Sequence, residues 1–143
     1  MPKIVLTAEE LRLITLFQDL TSATARDCII DKENNRVIFI TNPGEAGIAI
    51  GRKGANINKL RKLLSMEIEV VEYADKLEDF VKNIFTPARV KDIRVINREG
   101  KKTIYVTVDS RDKGRAIGKG GRKVHIARLI LKRYFDIDEV RIR

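Results

Sequence analysis

Two stretches 67 residues apart constrain this chain more than anything else in it. Residues 49–64 read AIGRKGANINKLRKLL and residues 116–131 read AIGKGGRKVHIARLIL. At that offset Gly51 matches Gly118 and Gly54 matches Gly121. Ala49/Ala116, Ile50/Ile117, Arg61/Arg128 and Leu64/Leu131 match as well. Neither stretch contains an acidic residue. Repetition at a fixed offset means one supersecondary unit built twice, so the flanks must agree too.

They agree in pattern. Thr7-Ala8-Glu9-Glu10 has the form of a capping box. Leu13, Leu16, Phe17 and Leu20 follow at i, i+3, i+4 and i+7, which predicts a helix. In the second half Asp75-Lys76-Leu77-Glu78 predicts a similar cap. Leu77, Phe80, Val81 and Ile84 repeat the stripe, and Pro87 should end that helix. Each helix precedes two β-branched runs around a polar turn. They are 28–30 with 36–41, and 92–96 with 103–108. A short helical stretch, the glycine motif, a longer helix and a short apolar strand (67–73; 139–142) complete each half. The seam near Ala74 has no Gly/Ser/Pro-rich linker. The expectation is an α+β chain of two units, 1–73 and 74–143, packed against each other.

The glycine loops are the candidate binding elements. A tight connection between helices requires φ values that glycine takes at little cost, and a missing Cβ lets a ligand's backbone approach. The helix that follows opens with unpaired N–H groups and a positive dipole end, a setting suited to phosphate. The candidate residues are Gly51, Arg52, Lys53 and Gly54 in the first loop. In the second they are Gly118, Lys119, Gly120 and Gly121, with Arg122 and Lys123 just beyond. Gly120 should make the second loop more flexible. Around the loops stand Ile48, Ile50, Ile57, Leu60, Ile117 and Val124. Most should pack in the cores, while one or two line a groove beside the loop. In the last long helix Val124, Ala127, Ile130, Leu131 and Tyr134 make one apolar face. Ile126 and Leu129 fall off it by this count and are assigned to packing between the units.

The pattern Ile-Gly-x-x-Gly-x-x-Ile/Val, at 50–57 and 117–124, resembles the KH domain. The helix-strand-strand-helix-helix-strand order is similar to its type II arrangement, so the chain resembles two tandem type II KH domains. The segment DKLEDFVKNIFTPARV, 75–90, resembles the opening of the second KH domain in the NusA family of transcription elongation and termination factors, here in its short archaeal form. The resemblance implies single-stranded RNA binding. The two loops would grip the sugar-phosphate backbone, and about four bases would lie in an adjoining groove. The RNA would be a nascent transcript or an rRNA-type leader, and RNA polymerase or its elongation complex is a further candidate partner. A ribosome- or RNA-processing-associated KH protein, or a single-stranded DNA binder, are the alternatives.

Composition narrows the classes. The chain of 143 residues carries 29 basic and 20 acidic residues, net +9, which favours a polyanionic partner. The one cysteine, Cys28, permits no internal disulfide and is expected in a buried strand. No stretch is long and apolar enough to span a membrane, and a cytoplasmic, monomeric protein is expected. Residues 114–120 read GRAIGKG, which is one residue short of a P-loop and has glycine where the metal-binding hydroxyl should stand. The one histidine, His125, and the one cysteine cannot form a usual zinc site. No enzyme activity, metal or cofactor is therefore expected.

The charge is unevenly spread. Residues 1–72 hold 10 basic and 10 acidic residues, and 73–143 hold 19 and 10. Neutralising six phosphates would lower affinity about a thousandfold between about 50 and 200 mM salt. Reversing Lys119, Arg122 and Lys123 to glutamate should flatten that dependence more than reversing Arg52 and Lys53. Titrations of a labelled RNA across that salt range read the difference.

Overall fold

The first helix begins where Thr7 can cap it. The Thr7 hydroxyl accepts from Glu10 N at 3.1 Å, and the Glu10 carboxylate accepts from Thr7 N at 2.8 Å, so two orphan amides are satisfied reciprocally. The computed structural model describes residues 4–143. The expected start of the first unit at residue 1 lies outside them. Two compact units emerge, with the division between Tyr73 and Ala74.

In the first unit α1 (Ala8–Thr21) leads to β1 (Ala25–Asp31) and β2 (Arg36–Thr41). Then come the short α2 (Ala46–Ile50), α3 (Ala55–Leu64) and β3 (Glu67–Glu72). β2 is central, antiparallel to β1 and parallel to β3. The α2–α3 crossover makes the parallel pairing possible, because parallel neighbours cannot be joined by a tight turn. Val37 and Phe39 alternate toward the helices, where Ile14, Phe17, Cys28, Leu60 and Ile68 close the core. Phe17 stacks on Phe39 with ring centroids 4.3 Å apart, a geometry worth about 1 kcal/mol beyond its buried area. Cys28 is buried in β1, as expected. The core face of α1 centres on Ile14 and Phe17, with Leu13, Leu16 and Leu20 only partly buried around it.

The second unit repeats the order with α4 (Leu77–Phe85), β4 (Val90–Arg98) and β5 (Lys101–Val108). α5 (Lys113–Ile117), α6 (Arg122–Phe135) and β6 (Glu139–Ile142) follow. β5 is again central, antiparallel to β4 and parallel to β6. The β4–β5 turn is tighter than the sequence suggests. Asn97 and Arg98 pair with Lys102 and Lys101, which leaves only Glu99 and Gly100, both at positive φ, as in a type I′ hairpin. A register shift sits at the start of each antiparallel pair, between Ala25 and Asp27 and between Val90 and Asp92. The extra residues are Arg26 and Lys91. Such bulges re-aim a side chain, and the Arg26 guanidinium lies 3.8 Å from the Tyr73 ring centroid.

Two helical expectations need correction. Asp75 does not cap α4. Lys76 occupies the N-cap position in extended conformation and offers no side-chain acceptor, so Glu78 and Asp79 in the first turn are left to complement the dipole. Ile126 is fully buried and shares the buried arc of α6 with Ala127, Ile130, Leu131 and Tyr134, because it lies one helical turn before Ile130. Leu129 is half-buried. Tyr134 meets Phe80 of α4 edge-on at 5.3 Å, which ties the two helices together.

Carboxylates stitch the second unit. Asp138, just before β6, accepts from Lys102 N at 2.9 Å and from Lys132 Nζ at 2.8 Å. Glu139 pairs with Lys101 at 2.7 Å. Hydrogen bonds from Lys132 to Asp138 and from Lys101 to Glu139 hold these two acids below their ordinary range. Asp109 and Asp112 are held below it by hydrogen bonds from Arg111 and Arg89 respectively. A carboxylate with a lowered folded-state pKa contributes stability that is present above its unfolded value and lost as the pH falls toward the folded one. Thermal stability should therefore be flat above about pH 5 and decline below about pH 4. Melting followed by circular dichroism across that range tests it, and neutralising Asp138 (Asp138→Asn) should shrink the acid-dependent part.

Candidate nucleic-acid interface

Each glycine loop is built from the backbone outward. α2 ends at Gly51, whose N–H donates to the Gly47 carbonyl at 3.0 Å. Gly51 then takes φ 80°, ψ 169°, a conformation essentially confined to glycine. A Cβ there would lie 2.8 Å from Asn56 Cγ and 2.9 Å from Asn56 N. Gly118 repeats this at φ 78°, ψ 165°, where a Cβ would stand 2.9 Å from Lys123 N. The loops close alike: Gly54 N donates to Gly51 O, and Gly121 N to Gly118 O, both at 3.1 Å.

The residue before each last glycine is left-handed. Lys53 has φ 55°, ψ 29° and Gly120 has φ 64°, ψ 21°. A lysine in that region costs about 1–2 kcal/mol relative to the right-handed basin, whereas glycine does not. Gly120 thus occupies a position where its freedom is used, and both loops share one shape. Arg52 and Lys53 are exposed, with Gly51 and Gly54 half-buried at the turn's base. Lys119, Gly120 and Arg122 are exposed, and Gly118, Gly121 and Lys123 are half-buried.

Gly54 and Gly121 are the N-caps of α3 and α6, and neither helix has a side-chain cap or an acidic residue in its first turn. α6 even opens with Arg122 and Lys123. Cations at the positive end of a helix are unfavourable by about 0.3–1 kcal/mol each, and an anion seated at the loop would reverse that sign. The apolar neighbours divide cleanly. Ile57 and Leu60 are core residues, while Ile48, Ile50 and Ile117 are 53%, 41% and 40% exposed beside the loops. Val124 is half-buried.

A carboxylate clamps the head of each short helix, a contact that residue types alone do not signal. Glu45, before α2, accepts from Thr24 N at 3.0 Å through its carboxylate. Asp112, before α5, accepts from Arg89 N at 3.0 Å and Arg89 Nε at 2.9 Å. The backbone around them matches as well: Asn42 N to Thr24 O and Glu45 N to Asn42 O, then Asp109 N to Arg89 O and Asp112 N to Asp109 O, all between 2.8 and 3.2 Å. An acid at the head of each short helix thus fastens it to the residue entering the first strand. The signal lay in the repeat offset, since Glu45 and Asp112 are also 67 apart. Arg89 belongs to the TPARV stretch, so that stretch anchors the second loop's helix.

Comparison with known proteins agrees with this architecture. A KH domain family model matches residues 12–75, and a NusA-like second KH domain model matches 77–143. The chain belongs to the NusA family. It is 36% identical over 140 residues to the "Probable transcription termination protein NusA" of Halococcus morrhuae, covering 98% of this chain and 99% of that protein. It is 30% identical over 143 residues to the like-named protein of Methanocaldococcus jannaschii, covering 99% of this chain and 76% of the other. A crystal structure of a protein designated APE1850 superposes with a TM-score of 0.88 at 49% identity, over 96% of this chain and all of that one. The two-domain KH fold is thereby shown.

The glycines should separate by function. Gly51→Ala and Gly118→Ala force a Cβ into backbone and should each destabilise by about 3 kcal/mol. Gly121→Ala, with nothing within 4 Å of the new Cβ, should cost about 1 kcal/mol. Urea denaturation of the three variants reads the order.

Proposed function

We propose that the chain is a single-stranded RNA-binding factor of transcription elongation and termination, related in role to its NusA relatives. It holds a nascent transcript or an rRNA-type leader through both glycine loops. The observation that carries this reading is the doubled loop. Each copy presents a helix N-terminus without a side-chain cap, basic side chains and exposed isoleucine at one place, and each is sealed by a glycine that admits no side chain. Phosphates would sit at Gly51, Arg52, Lys53 and Gly54, and at Gly118, Lys119, Gly120 and Gly121, with Arg122 and Lys123 supplying further charge. Ile48, Ile50 and Ile117 would floor the groove where unstacked bases lie. The role of termination factor rests on the names of the relatives, and an association with the elongation complex follows from that role.

The test uses paired loop variants that leave the fold alone. Asp replaces Arg52 and Lys53 in one, and Lys119 and Gly120 in the other, since aspartate tolerates the left-handed region and Gly120 has open space around it. Fluorescence anisotropy with a labelled RNA should show each variant weakened by about tenfold or more at low salt. Unweakened RNA binding by both would overturn the reading. Equal affinity for a DNA of the same sequence would favour the single-stranded DNA alternative.

A further inference from the structure

The two units share a scaffold but not an outer sheet surface. In β2 the residues facing away from the helices are Ile38 and Ile40, both fully buried. The structurally equivalent residues of β5 are Tyr105 and Thr107, both partly exposed. They alternate with Ile104 and Val106, which are fully buried on the helix side. Register places Arg94 of β4 beside Tyr105 and Arg98 beside Lys101, and Arg141 of β6 beside Tyr105 on its other flank. The Arg143 guanidinium lies 4.1 Å from the Tyr105 ring centroid.

This face is basic after its internal pairing is subtracted. Glu139 engages Lys101 at 2.7 Å and Arg141 at 3.3 Å. Asp92 is the other acid on the same face, beside Thr107. Arg94 and Arg98 are exposed and make no ion pair among the described residues. A depression of ≈ 450 Å³ on this face is lined by Ile96, Arg98, Tyr105 and Arg141 together with the paired Lys101 and Glu139. It lies on the face of the sheet turned away from α5 and α6, and so away from the second glycine loop.

We propose that this outer face of the β4-β5-β6 sheet is a second nucleic-acid surface, taking the phosphate backbone of the strand held at the loops. Charge complementarity selects the occupant, because unpaired arginines on a sheet suit phosphodiester oxygens in a planar, two-pronged manner. With Tyr105 as the one aromatic residue among these outward positions of β5, base stacking is minor. Contact is therefore sequence-independent and salt-sensitive. The proposal rests on the loop reading for the strand's identity as RNA.

Length dependence separates the two sites. The double variant Arg94→Gln/Arg98→Gln of the full chain is compared with the wild type and with the loop variants described above. Two RNAs serve as probes, one of about 8 nucleotides, enough for two KH grooves, and one of about 30. The expected result is unchanged affinity for the short RNA. For the long RNA, affinity falls and the slope of log K against log salt becomes shallower by about 1.4, two contacts at about 0.7 each for a single strand. An unchanged affinity and slope for the long RNA would overturn the proposal. If binding of polyglutamate were then found to be lost, the face would belong to an acidic protein partner instead. Loop variants that bind both RNAs normally would remove the loop reading, whereas loop variants that fail beside an unaffected Arg94/Arg98 variant would remove only this one. Matching far-ultraviolet circular dichroism guards against misfolding, since both arginines are exposed.

Discussion

A close approach between Gly51 and the Asn56 amide, and between Gly118 and the Lys123 amide, is the constraint from which each site is derived. The backbone there folds back so tightly that a Cβ would stand 2.8–2.9 Å from the following helix. Because no side chain fits, the short helix and the long helix can meet almost without a linker. The second helix therefore begins at a glycine that has no side chain to cap it. No side chain takes its first amides, and the first of them closes the loop, Ala55 N–H donating to Arg52 O and Arg122 N–H to Lys119 O. In most helices Ser, Thr, Asp or Asn removes one of these donors at the N-cap; α1, with Thr7 and Glu10, is the internal contrast. α1 is thus closed at its N-terminus by side chains, whereas α3, α4 and α6 carry no side-chain cap.

An open loop is useful only when it is aimed, and the aiming comes from carboxylates. Glu45 and Asp112 tie the head of each short helix to the strand-entry backbone at Thr24 and Arg89. These bonds link residues 21 and 23 positions apart in sequence, so they fix the loop relative to the sheet. The second clamp is the stronger. Asp112 is buried and takes two donors from Arg89, its N–H and its Nε, where the Glu45 carboxylate takes one from Thr24 N. The more basic unit thus has the more firmly held loop helix. That suits a surface whose cations repel one another when no ligand is present.

How much of this was legible in sequence depended on how local its cause was. The Thr7 cap and the sheet order follow from neighbours in sequence or from the doubled pattern. Asp75 fails as a cap because residue type was read without the backbone conformation that puts Lys76 in that position. Counting the apolar face of α6 from Val124, which is only half-buried, puts Ile126 off that face, whereas counting from the fully buried Ile130 puts both on one arc. The left-handed Lys53 is hidden because lysine gives no sign of positive φ, whereas Gly120, at the equivalent position, does signal it. Long-range clamps were invisible residue by residue, yet the acids Glu45 and Asp112 fell on the repeat offset.

The repeat also shows which parts of the unit tolerate divergence. The hydrogen bonds that set each loop are duplicated within a few tenths of an ångström, although only six of the sixteen residues in the two motif stretches are identical. Backbone geometry is held by glycine, by amide–carbonyl pairs and by one acid, none of which requires the remaining side chains to match. Positions outside the motif stretches diverge further, with an aliphatic, buried outer sheet face in the first unit and an arginine-bearing, exposed one in the second. The same freedom explains the charge asymmetry. Lysine and arginine accumulate at exposed positions of α6 and β4, where they disturb neither core nor clamp. Conserving the loop through the main chain therefore allowed the two copies to keep one mode of phosphate approach while acquiring different fields around it.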